Sequence, residues 1–392
     1  MDTLVPIVFV RRITTRVSVK LGGFDNILSA LKILESNHFF VEMPLGRNDF
    51  YRFSYVSSSK KRSIQIKLGA IPQSFRFLIF DPLFYVLTLL FALVITRGKI
   101  LVMSADLGVI TILSVFQKLF PTIRLWHHVV DFTPGKRFDN DLINKVYELN
   151  SKHVWLKADE ITTPSKKIES ALNMRYGQRS KSTTIIRNLP DLDNARQRQI
   201  EPRRPGEDLN VILAGSEVTP QFLVHETISA LSKVSSVFSM HLIVLGRALD
   251  KDYIRTAFEI ADISETPLTL EFPGMVSLDK VEMYLSKSDL GLAFYDAQES
   301  TFSSYGDSLK VWHYVAHRIP VLGSDFVSPL DELVSLGGSI KIDSLDKLTT
   351  VVSEWDSIDH ETGLEICQKY YYENVATNAH QINNLNLRLF RS

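Results

Sequence analysis

The chain has 392 residues with 44 basic and 44 acidic side chains, and 45% of its residues are hydrophobic. That length predicts two domains, and the ordinary globular composition excludes long-range disorder as the main state. A formal net charge of zero argues against a dedicated nucleic-acid binder, which usually carries a basic excess. The single cysteine, Cys367, excludes an internal disulfide framework and a cysteine-based zinc site.

The N-terminus does not match a secretory signal, because its apolar start is followed at once by Arg11 and Arg12. We therefore expect a cytoplasmic protein. The apolar segment from Leu83 to Ile95 raises the question of a membrane, yet as a helix it is about 20 Å long against about 30 Å of bilayer hydrocarbon. A helix buried in a large core, a helix lying on the inner face of the membrane and a true span all stay open. In the second case, part of its apolar face should be exposed beside basic residues such as Arg76 and Lys99.

Strand-like apolar runs alternate with helical patterns along the first half of the chain, which is typical of a mostly parallel sheet covered by helices. The predicted strands are, in chain order, VPIVFVRR, HFFVEMPL, KILVMSAD, TIRLWHHVVDF and EITTP. Helices are predicted between them for FDNILSALKILES, LGVITILSVFQKLF, residues 142–158 and the segment that begins at Ser165.

A polar segment separates this half from the next. Residues 190–210 contain three prolines, many charges and almost no apolar side chains, so we interpret 191–208 as a linker. It joins an N-terminal domain, 1–190, to a C-terminal domain, 209–365. Residues 366–392 are predicted to form a helix that packs back on the N-terminal domain, because no strand follows it.

The alternation of strand-like runs and helical patterns restarts after the linker. The predicted strands are DLNVILAGS, MHLIVLGR, LTLEFPG, LGLAFY, IPVLGSD and SIKID. The helices between them are predicted for residues 219–234, 250–263, 277–287, DSLKVWHYVAHR and the segment from Ser344. The predicted fold class is α/β, with two Rossmann-like doubly wound domains that face each other across a cleft, where ligands bind at the carboxyl ends of the strands.

The best phosphate-binding candidate is the segment 305–310, YGDSLK, because no Walker A pattern occurs and no GxGxxG follows a strand. It contains Gly306 and Ser308 and opens a helix whose first turn carries Lys310. The helix dipole disfavours a cation there unless the cation meets an anion. The alternative interpretation is a solvated lysine at a helix start.

Three polar side chains, His127, His128 and Asp131, come at the carboxyl end of a strand and before a Pro/Gly loop. Catalytic groups of open α/β sheets collect at that position. Asp131 is our candidate general base, with a turn or cap carboxylate as the alternative. The three do not aim at one metal and a fourth ligand is missing, so we predict no metal site. Glu299 and Asp307 are a weaker candidate for paired carboxylates, since both lie in a polar loop.

The run LKVWHYVAHRIPVLGSD, residues 309–325, resembles a motif of nucleotide-sugar glycosyltransferases of the two-Rossmann-domain (GT-B) type, in a form like that of family 4. In that family it runs roughly Lys-x-x-Glu-Tyr-x-Ala-x-Gly-x-Pro-Val. The matching positions here are Lys310, Tyr314, Ala316, Pro320 and Val321. SDLGLAFY resembles the strand before that motif, ILAGS the first strand and loop of the nucleotide domain, and ADEITTPS with IIRNLPD the end of the N-terminal domain.

Two positions depart from the family pattern, since its glutamate is His313 here and its glycine is Arg318. The pattern is similar instead to that of the inverting glucuronosyltransferase of xanthan assembly, which also lacks the glutamate. That resemblance implies that Asp131 is the base and that Tyr295 and Lys310 hold the nucleotide diphosphate.

These observations predict sugar transfer from a nucleotide diphosphate sugar, with a UDP-sugar as the expected donor, to a saccharide or lipid-linked acceptor in polysaccharide or glycoconjugate synthesis. Asp131 would take the acceptor proton, and Lys310 would stabilise the departing diphosphate. The residues expected to bind the nucleotide sugar are Gly215, Ser216, Phe272, Gly274, Met275, Tyr295, Gly306, Ser308, Leu309 and His313. Those expected on the acceptor side are Gly22, Gly23, His127 and His128.

No cofactor or metal is required if the lysine and the helix dipole stabilise the leaving charge. Phe272 and Met275 have an alternative interpretation as core residues. The expected partners are the donor, the acceptor and a membrane surface that meets Leu83 to Ile95, with no nucleic acid. Two other functions stay open, a non-catalytic binding or scaffold subunit of the same fold and a same-fold sugar epimerase.

Overall fold

Two separate β-sheets, each flanked by helices, organise the computed structural model of the chain. The structure describes residues 5–12, 24, 27–28, 37–44, 50–56, 61–67, 79–96, 100–130, 132, 140–190, 204, 206–234, 238–263, 268–296, 306–355 and 360–390. The chain divides into two compact units, Met1–Arg187 with Thr377–Ser392, and Asn188–Ala376. The predicted α/β class with two doubly wound domains is confirmed.

The sheet of the first unit has eight strands in the order β4-β3-β2-β1-β5-β6-β7-β8. They are β1 (Val5–Arg12), β2 (His38–Pro44), β3 (Tyr51–Val56), β4 (Lys61–Ile66), β5 (Ile100–Ser104), β6 (Ile123–His128), β7 (Glu160–Thr163) and β8 (Thr183–Ile185). Strands β1, β2 and β5 to β8 pair in parallel, as the alternating pattern predicted. Strands β3 and β4 form an antiparallel extension from β2.

The β3–β4 extension is an element that the sequence analysis missed. Strand β3 alternates aromatic with polar side chains, and Phe53 stacks on Phe39 of β2 at 5.6 Å between ring centroids. Strand β4 is exposed along its whole length. The sequence of β4 is mostly polar. Its strand conformation therefore depends on pairing with β3.

The helices of this unit that lie fully within the described residues include α1 (Asp81–Thr96), α2 (Leu107–Gln117), α3 (Asp141–Lys157) and α4 (Lys166–Tyr176). Side-chain caps explain where three of them begin. Asp106 accepts hydrogen bonds from two backbone N–H groups of α2, Asn140 does the same for α3, and Ser165 accepts one from α4. The predicted helix FDNILSALKILES lies mostly outside the described residues.

Helix α1 contains the apolar segment from Leu83 to Ile95. It buries the face that includes Tyr85 and Leu89, and Tyr85 packs edge-on against Phe9 of β1. The opposite face is exposed, with Val94 81% exposed. Within the described residues, no helix combines the length and hydropathy needed to cross a bilayer.

The sheet of the second unit has six parallel strands in the order β11-β10-β9-β12-β13-β14. They are β9 (Leu209–Val218), β10 (Met240–Ala248), β11 (Leu268–Gly274), β12 (Leu290–Ala293), β13 (Val321–Ser324) and β14 (Ser339–Ile342). The helices are α5 (Val224–Leu231), α6 (Lys251–Asp262), α7 (Leu278–Leu285), α8 (Leu309–Ala316), α9 (Leu330–Leu336), α10 (Asp346–Ser353) and α11 (His360–Phe390).

One helix boundary was predicted wrongly. The helix predicted for residues 219–234 begins only at Val224, after a 3₁₀ turn over Pro220–Phe222. Leu223 adopts a left-handed conformation with φ 51° between the two, which an α-helix cannot continue through. The break leaves Phe222 shortly after the end of β9.

Helix α11 is longer than predicted and belongs to both units, since the division falls between Ala376 and Thr377. Near its end, Leu385 and Leu389 join the core of the first unit beside Trp126. Arg388 donates a hydrogen bond of 2.9 Å to the buried carboxylate of Glu160. The linker residues 191–203 lie outside the described part of the chain.

Tyr314 joins two strands at the centre of the second sheet. The backbone N–H of Ala214 on β9 donates to its hydroxyl at 2.8 Å, and the hydroxyl donates to the carbonyl of Leu292 on β12 at 3.2 Å. Its ring lies against Gly291, where a Cβ atom would stand only 2.5 Å from the ring. Glycine at this position therefore lets the ring reach the sheet.

Tyr314→Phe should lower the free energy of unfolding by about 1–3 kcal/mol, because it leaves the N–H of Ala214 buried without its acceptor. The measurement is the midpoint of urea-induced unfolding. Tyr372→Phe, at a half-exposed position on α11, is the matched control and should shift the midpoint little. Equal midpoints for the Tyr314 variant and the wild type would contradict this role.

Candidate functional site

The order of strands in the second unit defines where a ligand is expected. The chain runs outward from β9 in both directions, through β10 to β11 on one side and through β12 to β14 on the other. Ligands of doubly wound sheets bind at such a switch point, outside the carboxyl ends of the strands. Gly215 and Ser216 lie near the end of β9, and Tyr295 follows β12, so the sheet brings these three predicted residues to one edge.

Gly215 is needed for close packing at this edge. A Cβ atom there would lie 3.2 Å from the carbonyl oxygen of Glu217 and within 3.8 Å of the Phe222 ring. Phe222 packs in turn against Tyr295, with ring centroids 5.5 Å apart. The sequence analysis did not identify Phe222, although its position a few residues after the first strand of the unit was the available signal.

Lys310, in the first turn of α8, points its ammonium group at these two rings. Its Nζ lies 4.2 Å from the centroid of Phe222 and 4.5 Å from that of Tyr295. The Nζ is shielded from water and has no hydrogen-bond partner among the described residues. Burial lowers the pKa of Lys310 to about 7. Aromatic faces attract a cation, but they do not replace the hydrogen bonds of an anionic partner.

Ser308 completes the start of α8. Its hydroxyl oxygen lies 3.4 Å from the hydroxyl of Tyr295, and its side chain makes no capping hydrogen bond to the helix. Burial raises the pKa of Tyr295 to about 12, so this phenol stays protonated. Two hydroxyl groups therefore lie at the N-terminus of the helix whose first turn carries Lys310, and together these groups favour an anion.

Gly306 and Leu309 lie at the same helix start, and His313 lies further along α8, in its last turn. Burial, with a further contribution from the charge of His317, lowers the pKa of His313 to about 4. Its Nδ1 has no hydrogen-bond partner within the described part of the chain. His313 is therefore neutral near pH 7 and offers a hydrogen bond rather than a second positive charge. Gly306 and Leu309 are half-buried on either side of Ser308.

Asp307 has a structural role. Its carboxylate accepts a hydrogen bond of 2.8 Å from the backbone N–H of Asn188, and its carbonyl accepts one of 3.3 Å from the Asn188 amide. The side chain is buried. Its suggested carboxylate partner, Glu299, lies outside the described residues.

Phe272, Gly274 and Met275 lie at the end of β11, which β10 separates from β9. Phe272 packs against the core of the second unit. Gly274 has a left-handed conformation, and Met275 is exposed. The sheet therefore places these predicted residues two strands away from Gly215, and their contact with a ligand stays a prediction.

The acceptor-side histidines lie at the end of β6 in the first unit. The Nδ1 of His127 donates to the carbonyl of Ser104 at 3.0 Å, and the Nδ1 of His128 lies 2.9 Å from the hydroxyl of Thr162. Both rings are buried, and His128 stacks on Phe24 at 5.7 Å. Burial lowers the pKa of His127 to about 4 and that of His128 to about 3, so neither carries a charge near pH 7.

The Nε2 of His128 is buried without a hydrogen-bond partner among the described residues. Three predicted site residues therefore each have a buried polar atom without such a partner, namely Lys310, His313 and His128. Asp131, Gly22 and Gly23 lie outside the described part of the chain, so their roles stay predictions. In the described ranges, no group of three or more His, Cys, Asp or Glu side chains could hold a metal ion.

Solved glycosyltransferase structures share this fold over nearly the whole chain. Sucrose-phosphate synthase from Thermosynechococcus elongatus has a TM-score of 0.67 at 13% identity, covering 98% of this chain and 99% of that one. Trehalose 6-phosphate synthase from Burkholderia multivorans has a TM-score of 0.68 at 12% identity, covering 98% of each chain. HepE from Anabaena, in complex with UDP and glucose, has a TM-score of 0.59 at 14% identity, covering 97% and 99%.

No protein-family model matches the sequence, and no curated protein sequence matches it. At such low identities the structural likeness shows the fold alone. The chain therefore has the GT-B fold, with two Rossmann-like domains of the kind that nucleotide-sugar glycosyltransferases use.

Proposed function

We propose that the protein is a glycosyltransferase that takes its sugar from a UDP-sugar. The observation that carries the proposal is the Lys310 ammonium, which is shielded from water, faced by Phe222 and Tyr295, and without a hydrogen-bond partner among the described residues. A diphosphate would supply the missing anionic partner at the expected edge of the sheet. UDP is the proposed nucleotide because HepE, which shares the fold, binds UDP with glucose.

In the proposed reaction, the acceptor hydroxyl displaces UDP from the anomeric carbon of the sugar. The oxygen of the acceptor hydroxyl forms a bond to that carbon while the bond from the carbon to the diphosphate oxygen breaks. The acceptor proton passes to the carboxylate of Asp131, and the electron pair of the broken bond leaves on UDP. Lys310, with the Ser308 hydroxyl and the N-terminus of α8, stabilises the negative charge that develops on the diphosphate.

A single displacement of this kind inverts the anomeric configuration, and we propose that outcome because His313 stands where retaining family-4 enzymes have a glutamate. A similar trehalose-6-phosphate synthase structure concerns glycosyl transfer with retention. Nuclear magnetic resonance of the first product formed would distinguish the two outcomes, and a retained configuration would remove Asp131 as the base of a single displacement.

The proposed acceptor is a saccharide or a lipid-linked saccharide of polysaccharide or glycoconjugate synthesis. The exposed apolar face of α1 supports the lipid-linked form, because an enzyme that uses such an acceptor must meet it at the surface of a membrane.

A panel of nucleotides and nucleotide sugars tests the proposal directly. UDP and at least one UDP-sugar should raise the melting temperature, since a ligand at 100 times its Kd adds about 2.7 kcal/mol of stability. The same UDP-sugar should release UDP when the acceptor is added. Binding without turnover for any acceptor would favour a scaffold subunit, and conversion of the sugar without acceptor would favour an epimerase. No stabilisation by any nucleotide would refute the proposal.

A further inference from the structure

The first unit exposes apolar side chains on three helices that lie side by side, since α2 packs against both α1 and α3. Helix α1 exposes a stripe at positions spaced by three, four or seven residues, which share one helix face. Helix α3 does the same. The exposed side chains include Leu83, Leu87, Leu90, Phe91 and Val94 on α1, Val115 and Leu119 on and after α2, and Leu142, Ile143, Val146 and Leu149 on α3. Monomeric proteins rarely expose such a continuous apolar surface without a partner.

Strand β4 extends this surface beyond α1. Phe53 on β3 packs edge-on against Phe91 of α1, at 5.4 Å between ring centroids. Ile64 on β4 pairs directly with Phe53, so it lies on the same face of the sheet. Ile64 and Ile66 are both exposed.

Basic side chains lie on two sides of the apolar surface. On β4, Arg62 is exposed and shares the sheet face of Ile64, because it lies two residues before it. On α3, Lys145 and Lys152 are exposed at the edge of the apolar stripe.

Two further exposed lysines are Lys118, which follows α2, and Lys157 at the end of α3. Ser114 of α2 and His153 of α3 are joined at 2.8 Å. Burial, and then the charges of Lys118 and Lys157, lower the pKa of His153. Of the two acidic side chains on α3, Glu148 is already paired with Arg175 at 2.5 Å.

We propose that this apolar surface, from β4 across α1 and α2 to α3, docks on an anionic lipid bilayer. The charge of the surrounding side chains decides between a bilayer and other occupants, because exposed lysines and arginines complement anionic headgroups while the apolar side chains enter the boundary of the acyl chains. A second copy of the chain would bring like charges together at the same edges.

The inference deepens the proposed function, on which it rests for the identity of the acceptor, because a lipid-linked acceptor would be met at this surface. Its test does not use sugar transfer or nucleotide binding. Failure to bind lipid and failure to bind UDP are therefore separate results.

The experiment is sedimentation of the full-length protein with vesicles of phosphatidylcholine, with and without an anionic phospholipid, at low and high salt. We expect binding to the anionic vesicles that weakens at high salt. The double change Lys145→Gln and Lys152→Gln should lower the partition coefficient about 25-fold, as each lysine contributes about a fivefold factor. Leu87→Gln with Val94→Gln should lower it at least about tenfold.

Two control variants lie in the second unit, at positions of matching exposure. The first is Ile263→Gln, because Ile263 is 81% exposed, like Val94. The second is Lys280→Gln, because Lys280 is an exposed lysine on α7. Both should bind vesicles as the wild type does, and all variants should keep the wild-type melting temperature. Wild-type protein that stays in the supernatant with anionic vesicles would overturn the proposal. So would self-association through Leu87 and Val94 that anionic vesicles do not displace.

Discussion

Asp131→Asn should reduce the turnover of the UDP-sugar by about 10² to 10⁴, the contribution expected of a positioned general base. The amide has nearly the same size and shape as the carboxylate, but it cannot accept the proton of the acceptor hydroxyl. The measurement is the initial rate of UDP release at saturating acceptor. This is the largest effect that we expect from a single substitution.

The same variant should bind UDP and the UDP-sugar almost as tightly as the wild type does, because the base faces the acceptor rather than the nucleotide. Calorimetric binding therefore separates loss of a base from loss of folding. Asp262→Asn, at an exposed position on α6, is the matched control and should leave both rate and binding unchanged. Full turnover of the Asp131 variant with the true acceptor would show that another group takes the proton.

Lys310→Met should weaken the binding of UDP and of the UDP-sugar together by about ten- to a hundredfold. A charge-assisted contact to a diphosphate contributes roughly 1.5–3 kcal/mol, and both ligands carry the diphosphate. Methionine keeps the apolar contact with Phe222 and Tyr295. It also removes an ammonium group that is shielded from water without an anionic partner among the described residues, so the unliganded variant should melt no lower than the wild type.

The matched control is Lys280→Met, at an exposed position on α7, which should bind UDP as the wild type does. Isothermal titration calorimetry measures both affinities directly. If Lys310→Met and the wild type bound UDP equally well, the diphosphate would have to lie elsewhere, and the proposed site would be wrong even if the protein proved to be a glycosyltransferase.

The pKa of Lys310 gives this site a dependence on pH that the variant should lose. Burial lowers that pKa to about 7 in the free protein, and a bound diphosphate raises it again because the anion favours the charged form. Below pH 7 the ammonium is already protonated, so affinity for the UDP-sugar should be level. Above pH 7 binding must take up a proton, and affinity should fall about tenfold per pH unit until the pKa of the bound state is reached. Calorimetry in buffers of different ionisation enthalpy measures how many protons are taken up when the ligand binds.

The alternation of apolar strand-like runs with helical patterns was enough to predict the two doubly wound sheets. Strands such as Val5–Arg12 and Leu209–Val218 are recognisable because buried parallel strands need continuous apolar runs. Capping residues such as Ser165 mark helix starts by local hydrogen bonds that depend on few neighbours. The position of Lys310 in the first turn of a helix could likewise be predicted, since it depends only on the local pattern.

The tertiary structure alone decided what surrounds that lysine. Phe222 and Tyr295 follow different strands and meet only because β9 and β12 are neighbours in the sheet. A buried ammonium between two rings is a property of that pairing, and no sequence spacing predicts it. Strand β4 was likewise not predictable from its mostly polar sequence, because its strand conformation depends on pairing with β3.

Exposure of the apolar helix faces was also decided by packing. Helix α1 is apolar around most of its circumference, so its sequence does not indicate which face the core takes. The contact of Tyr85 with Phe9 turns one face inward and leaves Leu87 and Val94 outside. By itself, then, the sequence determined the parallel strands, the capped helix starts and the candidate lysine, because these depend on local patterns. The folded chain decided the aromatic contacts of that lysine and the exposed apolar surface, because both depend on which distant elements become neighbours.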